Sequence, residues 1–213
     1  EKLLLKEKFS GVLNDKVSSG ETTHFSVADT NGNAIAVTSS INAYFGALSA
    51  SKELGFLYNT YMDDFIFEDP NHPFTIRPNA MAYSSMSPTI VQKNNETVLI
   101  IGSPGSSRII SSVSQITAKW INNNDIQNLI KQPRIHVSNN NIYFENKQDT
   151  MLIDKTFINR NNFHFKTPSE NLMLKEGVNA YYGGIHAVAK EKGNWVGAAD
   201  PRRDGKSIII KTN

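Results

Sequence analysis

Apolar residues recur along the chain at more than one spacing. Leu3, Leu4, Leu5, Phe9, Val12 and Leu13 fall on one helical face among lysines and glutamates, which predicts a helix over residues 3–13. Ser18-Ser19-Gly20 breaks it and leaves an exposed linker. From Thr23 the spacing changes to two. Phe25 and Val27, then Ile35 and Val37, share one side of two strands, with Asn31-Gly32 as the hairpin turn. A hairpin returns beside its own start, so Ser39, Ser40 and Asn42 come within reach of Thr22. Prolines make residues 65–83 an irregular loop rather than a central strand.

Val98 to Ile101 reads as a buried strand that ends in Gly102-Ser103-Pro104-Gly105. Ile109, Val113, Ile116 and Trp120 then place a helix from Arg108 to about Trp120, followed by a short helix over Asp125–Lys131 that Pro133 closes. The remainder alternates short strands with Asn- and Gly-rich turns, with one helix near residues 150–159. These periodicities support mixed α and β structure without repeats or heptads.

A chain of 213 residues is long enough for one sizeable core. The net charge of +2 is spread rather than clustered, which argues against a nucleic-acid or anionic-membrane surface. The longest apolar runs, such as Thr97–Ile101, are strand-sized and too short to span a bilayer. No signal peptide is visible at the start, and the missing initial methionine suggests a processed piece. With no cysteine there are no disulfides or thiolate metal sites. His72, His136, His164 and His186 lack metal-like spacing with acids, so no metal and no cofactor are expected.

The chemistry centres on Thr22-Thr23-His24-Phe25-Ser26-Val27, just after the linker. A threonine hydroxyl is a weak nucleophile without a base. Cutting the bond before it frees an α-amine of pKa ~7.7–8.0 beside the hydroxyl. Further stretches follow in order: Asp29–Asn33 into Ala36–Asn42, then Asn59–Phe65, Arg77-Pro78, Ser84-Ser85-Met86-Ser87-Pro88-Thr89-Ile90-Val91, Gly102–Arg108 and Ala199-Asp200-Pro201-Arg202. Together they resemble the small subunit of γ-glutamyltranspeptidases, the self-cleaving N-terminal-nucleophile hydrolases, over about Thr22 to Arg202.

That resemblance implies an α+β fold, a four-layer α/β/β/α sandwich of antiparallel sheets completed by a large subunit from the same precursor. Residues 1–21 would be the tail of the large-subunit region and the processing linker, and residues 22–213 the catalytic small-subunit domain. It implies cleavage between Glu21 and Thr22, with Thr22 as nucleophile. Ser40 stands where the family usually has a threonine bonded to the nucleophile. Asn42 matches the asparagine at the donor's α-carboxyl end. Asp64 matches the aspartate for the donor's ammonium, with Asp63 as its neighbour, and Ser84 and Ser85 match the serine pair for its carboxylate. Tyr61 departs from the family's glutamine or glutamate. Gly105 and Ser106 match a Gly-Gly pair whose N–H groups form the oxyanion site, and a serine there is strained if φ is positive. His24 is expected to pack, and Asp200-Pro201-Arg202 to lock a turn by an ion pair.

The implied activity is transfer or hydrolysis of γ-glutamyl groups from glutathione-like donors to an amino-acid or peptide acceptor or to water. A periplasmic, extracellular or cell-surface location goes with it. The 65–83 loop, shorter than a full lid, leaves open a capsule-type poly-γ-glutamate transpeptidase or hydrolase. Asp64 argues against the acylase branch, whose acyl groups lack the ammonium. Tyr61, Ser106 and the retained residues 1–21 leave room for a non-catalytic or unprocessed binding protein.

Overall fold

The computed structural model describes residues 21–138, 141–145, 164–166 and 178–210. The helices expected over 3–13 and near 150–159, and the tail of the large-subunit region up to residue 20, lie outside them. Strands β1 (Glu21–Ala28) and β2 (Ala34–Asn42) form the antiparallel hairpin, with Ala28 opposite Ala34. Its turn departs from a two-residue Asn-Gly connection. It is a five-residue loop, Asp29–Asn33, in which Gly32 alone takes positive φ (89°). The Asp29 carboxylate accepts from the Asn31 and Asn33 N–H groups at 2.9 Å and from Asn33 Nδ2 at 2.7 Å, and this local capture replaces the tight turn.

A four-stranded antiparallel sheet in the order β3-β4-β8-β9 follows, from β3 (Thr89–Lys93), β4 (Glu96–Gly102), β8 (His186–Glu191) and β9 (Asn194–Ala199). Asn94 and Asn95, both at positive φ (51° and 62°), make the tight β3–β4 turn. Helix α1 (Arg108–Asn122) and helix α2 (Ile126–Leu129) cover one face of this sheet. The helix stripe read from the sequence is the one that buries: Ile109, Val113, Ile116 and Trp120 meet Leu99, Ile101, Ala187 and Ala189 in one core. A smaller sheet contains β5 (Ile135–Ser138), β6 (Asn141–Phe144) and β7 (His164–Lys166), with β6 and β7 parallel.

The hairpin packs on the other face of the four-stranded sheet, against β4 and β8. Residues of β1 alternate: Thr22, His24 and Ser26 turn inward, while Phe25 and Val27 turn out. Gly102 permits the close approach, because a Cβ there would meet the His24 ring at 2.3 Å. The described residues therefore form three layers, hairpin, sheet and helices. The apolar side of the hairpin remains uncovered, with Phe25, Val27 and Ile35 each about half exposed.

Beneath α1, Asp200 pairs with Arg134 and with Arg202 (3.0 Å), and Arg202 also pairs with Glu145. The same guanidinium groups donate to the carbonyls of Ile130 and Gln132, and Asp200 Oδ2 accepts from the Ile185 N–H at 2.8 Å. Asp200-Pro201-Arg202 thus does lock the carboxyl-terminal turn, within a larger cluster that includes Arg134 and Glu145.

Candidate active site

Thr22 sits opposite Ser40 in the hairpin register, and Thr22 Oγ1 lies 2.9 Å from Ser40 Oγ. The pairing jumps just before it. Glu21 is opposite Asn42 while Thr22 is opposite Ser40, so Ile41 bulges out of the ladder. Glu21 is already part of β1, so the strand runs across the bond at which the sequence suggested a boundary. Ser40 Oγ donates to the Glu21 carbonyl at 3.2 Å and accepts from the Asn42 N–H at 3.0 Å. A hydroxyl has one proton, and with Ser40 donating to Glu21 the Thr22 hydroxyl is the donor to Ser40.

A cleft of about 90 Å³ opens over this hairpin end. Thr22, Ser40, Asn42, Tyr61, Asp64, Ser84, Ser85 and Ser106 all line it, so these expected residues converge from segments up to 84 positions apart (22 to 106). Gly105 does not line it. It is buried against Gly183, where a Cβ would come within 2.9 Å of the Gly183 Cα, and its carbonyl accepts from the Arg108 N–H at 3.1 Å. The next residues, Ser106 and Ser107, reach the cleft instead, at the N-terminus of α1, the end of a helix dipole that favours negative charge. Ser106 does hold positive φ (54°). Ser107, Tyr83, Met86 and Ile109 are lining residues that the sequence did not single out. The Ser-Ser-Met motif contained Met86 and the Gly-Ser-Ser-Arg turn contained Ser107.

Asp64 ends a 3-10 turn, Tyr61–Asp64, and its Oδ2 accepts from Asn42 Nδ2 at 3.2 Å. Asn42 thus stands beside Asp64, its backbone at φ 67°. Burial, opposed by the Asn42 hydrogen bond and reinforced by Asp63, pushes the Asp64 carboxyl above its ordinary value. The Tyr61 hydroxyl points to the Met86 sulfur, 3.6 Å away. Ser84 Oγ accepts from the Met86 N–H at 3.3 Å, and the Ser85 carbonyl accepts from the Ser87 hydroxyl at 3.0 Å.

His24 is buried behind Thr22, with Nδ1 2.8 Å from Thr38 Oγ1 and Nε2 2.9 Å from Ser26 Oγ. Ser26 gives its proton to the His186 carbonyl, which makes His24 Nε2 a donor and Nδ1 an acceptor. Burial, aided by His186, holds the His24 pKa at about 4, so the ring is neutral near pH 7. His186 Nδ1 in turn donates to the His24 carbonyl at 2.7 Å. His24 is a packing residue that seats β1 on β8.

The chain is similar to known proteins over most of its length. The profile of a family described as Gamma-glutamyltranspeptidase matches residues 5–210. The chain is 34% identical over 194 residues to the glutathione hydrolase proenzyme of Escherichia coli, covering 86% of this chain and 32% of that protein. It therefore spans about a third of the length of the curated relatives it matches. A mutant γ-glutamyltranspeptidase of Helicobacter pylori superposes with a TM-score of 0.67 at 32% identity, covering 85% of this chain and 100% of that one. The transpeptidase enzyme CapD of Bacillus anthracis superposes with a TM-score of 0.64 at 25% identity, covering 90% and 99%.

Proposed function

The chain belongs to the γ-glutamyltranspeptidase family, and from that premise we propose that it is the nucleophile-bearing part of a self-cleaving γ-glutamyl transferase or hydrolase, with Thr22 as nucleophile. The observation that carries this reading is the chain Thr22 Oγ1–Ser40 Oγ–Glu21 carbonyl, across the bond expected to break. In the uncut protein Thr22 Oγ1 attacks the Glu21 carbonyl carbon. Its proton passes to Ser40, and the Ser40 proton passes to the carbonyl oxygen as that oxygen gains charge. Collapse breaks the Glu21–Thr22 C–N bond and transfers a proton to the nitrogen. Water then hydrolyses the ester, leaving a Glu21 carboxylate and a Thr22 α-amine. The bulge at Ile41 supports this order of events, because it breaks the regular ladder at that one peptide.

In the second reaction the Thr22 amine takes the hydroxyl proton and Oγ1 attacks the γ-carbonyl of a glutathione-like donor. Asp64 holds the donor's ammonium, and Ser84 and Ser85 its carboxylate. The Ser106 N–H and the α1 N-terminus face the developing oxyanion. The leaving amine departs protonated, and water or an acceptor amine releases the acyl group. The test is the full-length protein. A new amino terminus at Thr22 and hydrolysis of a γ-glutamyl anilide are expected, both lost in Thr22→Ala. An uncut native protein without anilide hydrolysis would leave only a binding role.

A second reading, poly-γ-glutamate as donor, is favoured by the open side of the cleft, where Tyr83, Ser84 and Ser107 are exposed. Competition between glutathione and poly-γ-glutamate for one acyl-enzyme separates the two. The large subunit of the same precursor supplies the fourth layer over Phe25, Val27 and Ile35. Phe25→Asp is expected to separate the two pieces on a sizing column after cleavage, and unaltered co-elution counts against this.

A further inference from the structure

Among the described residues lining the cleft, Asp64 carries the one formal charge. It is neither dry nor waiting for a partner. One of its oxygens already takes the Asn42 amide, and the residue is partly exposed. The wall beside it is aromatic and thioether. Tyr61 opens the 3-10 turn with its N–H on Asn59 Oδ1 at 3.0 Å, and its phenol is committed to Met86, which itself packs on the core. An ammonium has three N–H groups to satisfy, and this end of the cleft presents it with one carboxylate oxygen free of protein partners.

We infer that Tyr61 sets how strictly the cleft reads the α-substituent of the acyl donor, and that with its hydroxyl on Met86 it leaves that reading loose. The inference rests on the proposed γ-glutamyl chemistry and concerns its selectivity. A site rejects an analogue by 10⁴–10⁵ when the missing group leaves buried polar atoms unpaired. Here a glutaryl group, which lacks the ammonium, leaves Asp64 still bonded to Asn42 and open to water. The expected discrimination is therefore only about 10–100-fold in kcat/KM, the size of a single modest contact. The expectation that Asp64 excludes such acyl groups holds for a carboxylate with no other partner, and Asp64 has one.

The experiment compares γ-glutamyl and glutaryl anilides with the full-length protein and with Tyr61→Gln and Tyr61→Glu, which place an acceptor beside Asp64. In both variants the preference for the γ-glutamyl donor should rise at least about tenfold, through a lower KM for that donor rather than a changed kcat. Met86→Leu removes the sulfur acceptor, frees the phenol and should raise the preference in the same direction by a smaller factor. A native preference above about 10⁴ overturns the inference, as does an unchanged preference in all three variants. If the native protein hydrolyses neither anilide, the proposed function fails instead, and the two failures are distinct.

Discussion

Under α1, Arg134 and Arg202 are each 1% exposed and face Asp200 and Glu145, so the polar groups there are matched by opposite charge and by backbone carbonyls. Around Thr22 the polar groups are partly exposed hydroxyls and amides with Asp64 as the one formal charge, and two residues of the cleft, Asn42 and Ser106, hold left-handed backbone. In the first region, removing any member strands a buried charge. The second is kept open to rearrangement, since a hydroxyl chain can pass protons and exchange partners at little cost. One chain thus sets a charge-matched clamp apart from the edge proposed to react.

The largest test of this contrast is Arg202→Ala. It leaves Asp200 and Glu145 short of a partner inside the fold, and a loss of about 3–5 kcal/mol is expected. Urea unfolding of the full-length protein measures it, and a loss below about 1 kcal/mol would show the clamp to be no stiffer than the cleft.

Ser40 tests the reactive edge. Ser40→Ala removes both the acceptor for Thr22 and the donor to Glu21, which predicts self-cleavage slower by about 10–100-fold with folding little changed. Ser40→Thr keeps the hydroxyl and should restore most of the rate. The time course of the new amino terminus decides it, and equal rates in Ser40→Ala and native protein would remove Ser40 from the chemistry.

His24 joins the two regions, because it seats β1 on the sheet directly behind Thr22. Its folded pKa of about 4 lies below the ordinary 6.5, so the unfolded chain binds the proton more readily. Its contribution is full above about pH 6.5, is lost progressively as the pH falls toward about 4, and changes no further below that. Thermal unfolding across this window should fall less steeply in His24→Gln. His186 of β8 is the titratable group that faces His24.

What could be read from the sequence follows the range of each signal. The α1 stripe and the β4 run are local periodicities, and both lie where they were expected. Strand β3 escaped notice because five residues after a proline carry too few alternations, although Asn94-Asn95 marked its turn. Arg134 and Glu145 meet Arg202 and Asp200 across 57 to 66 positions, and ion pairing at that distance leaves no local pattern. The cleft residues were named through family motifs, since no periodicity connects Asp64 with Ser106. The outward side of Phe25 and Val27 was invisible because alternation shows that residues share a side, not what covers it.

The smallest effect separates two neighbours in one turn. Gly105 at φ 136° packs on Gly183 and belongs to the locked region, so Gly105→Ala meets both backbone strain and the 2.9 Å approach to the Gly183 Cα. Ser106 at φ 54° belongs to the reactive edge and carries a Cβ in a conformation that disfavours one. Ser106→Gly should therefore stabilise the protein by about 1 kcal/mol, read as a higher urea midpoint at constant slope. Because the N–H proposed to face the oxyanion is retained, self-cleavage should continue in this variant. A destabilised Ser106→Gly would mean that its side chain is held by the cleft as firmly as Arg202 is held by the clamp, and the division between the two regions would not extend to this turn.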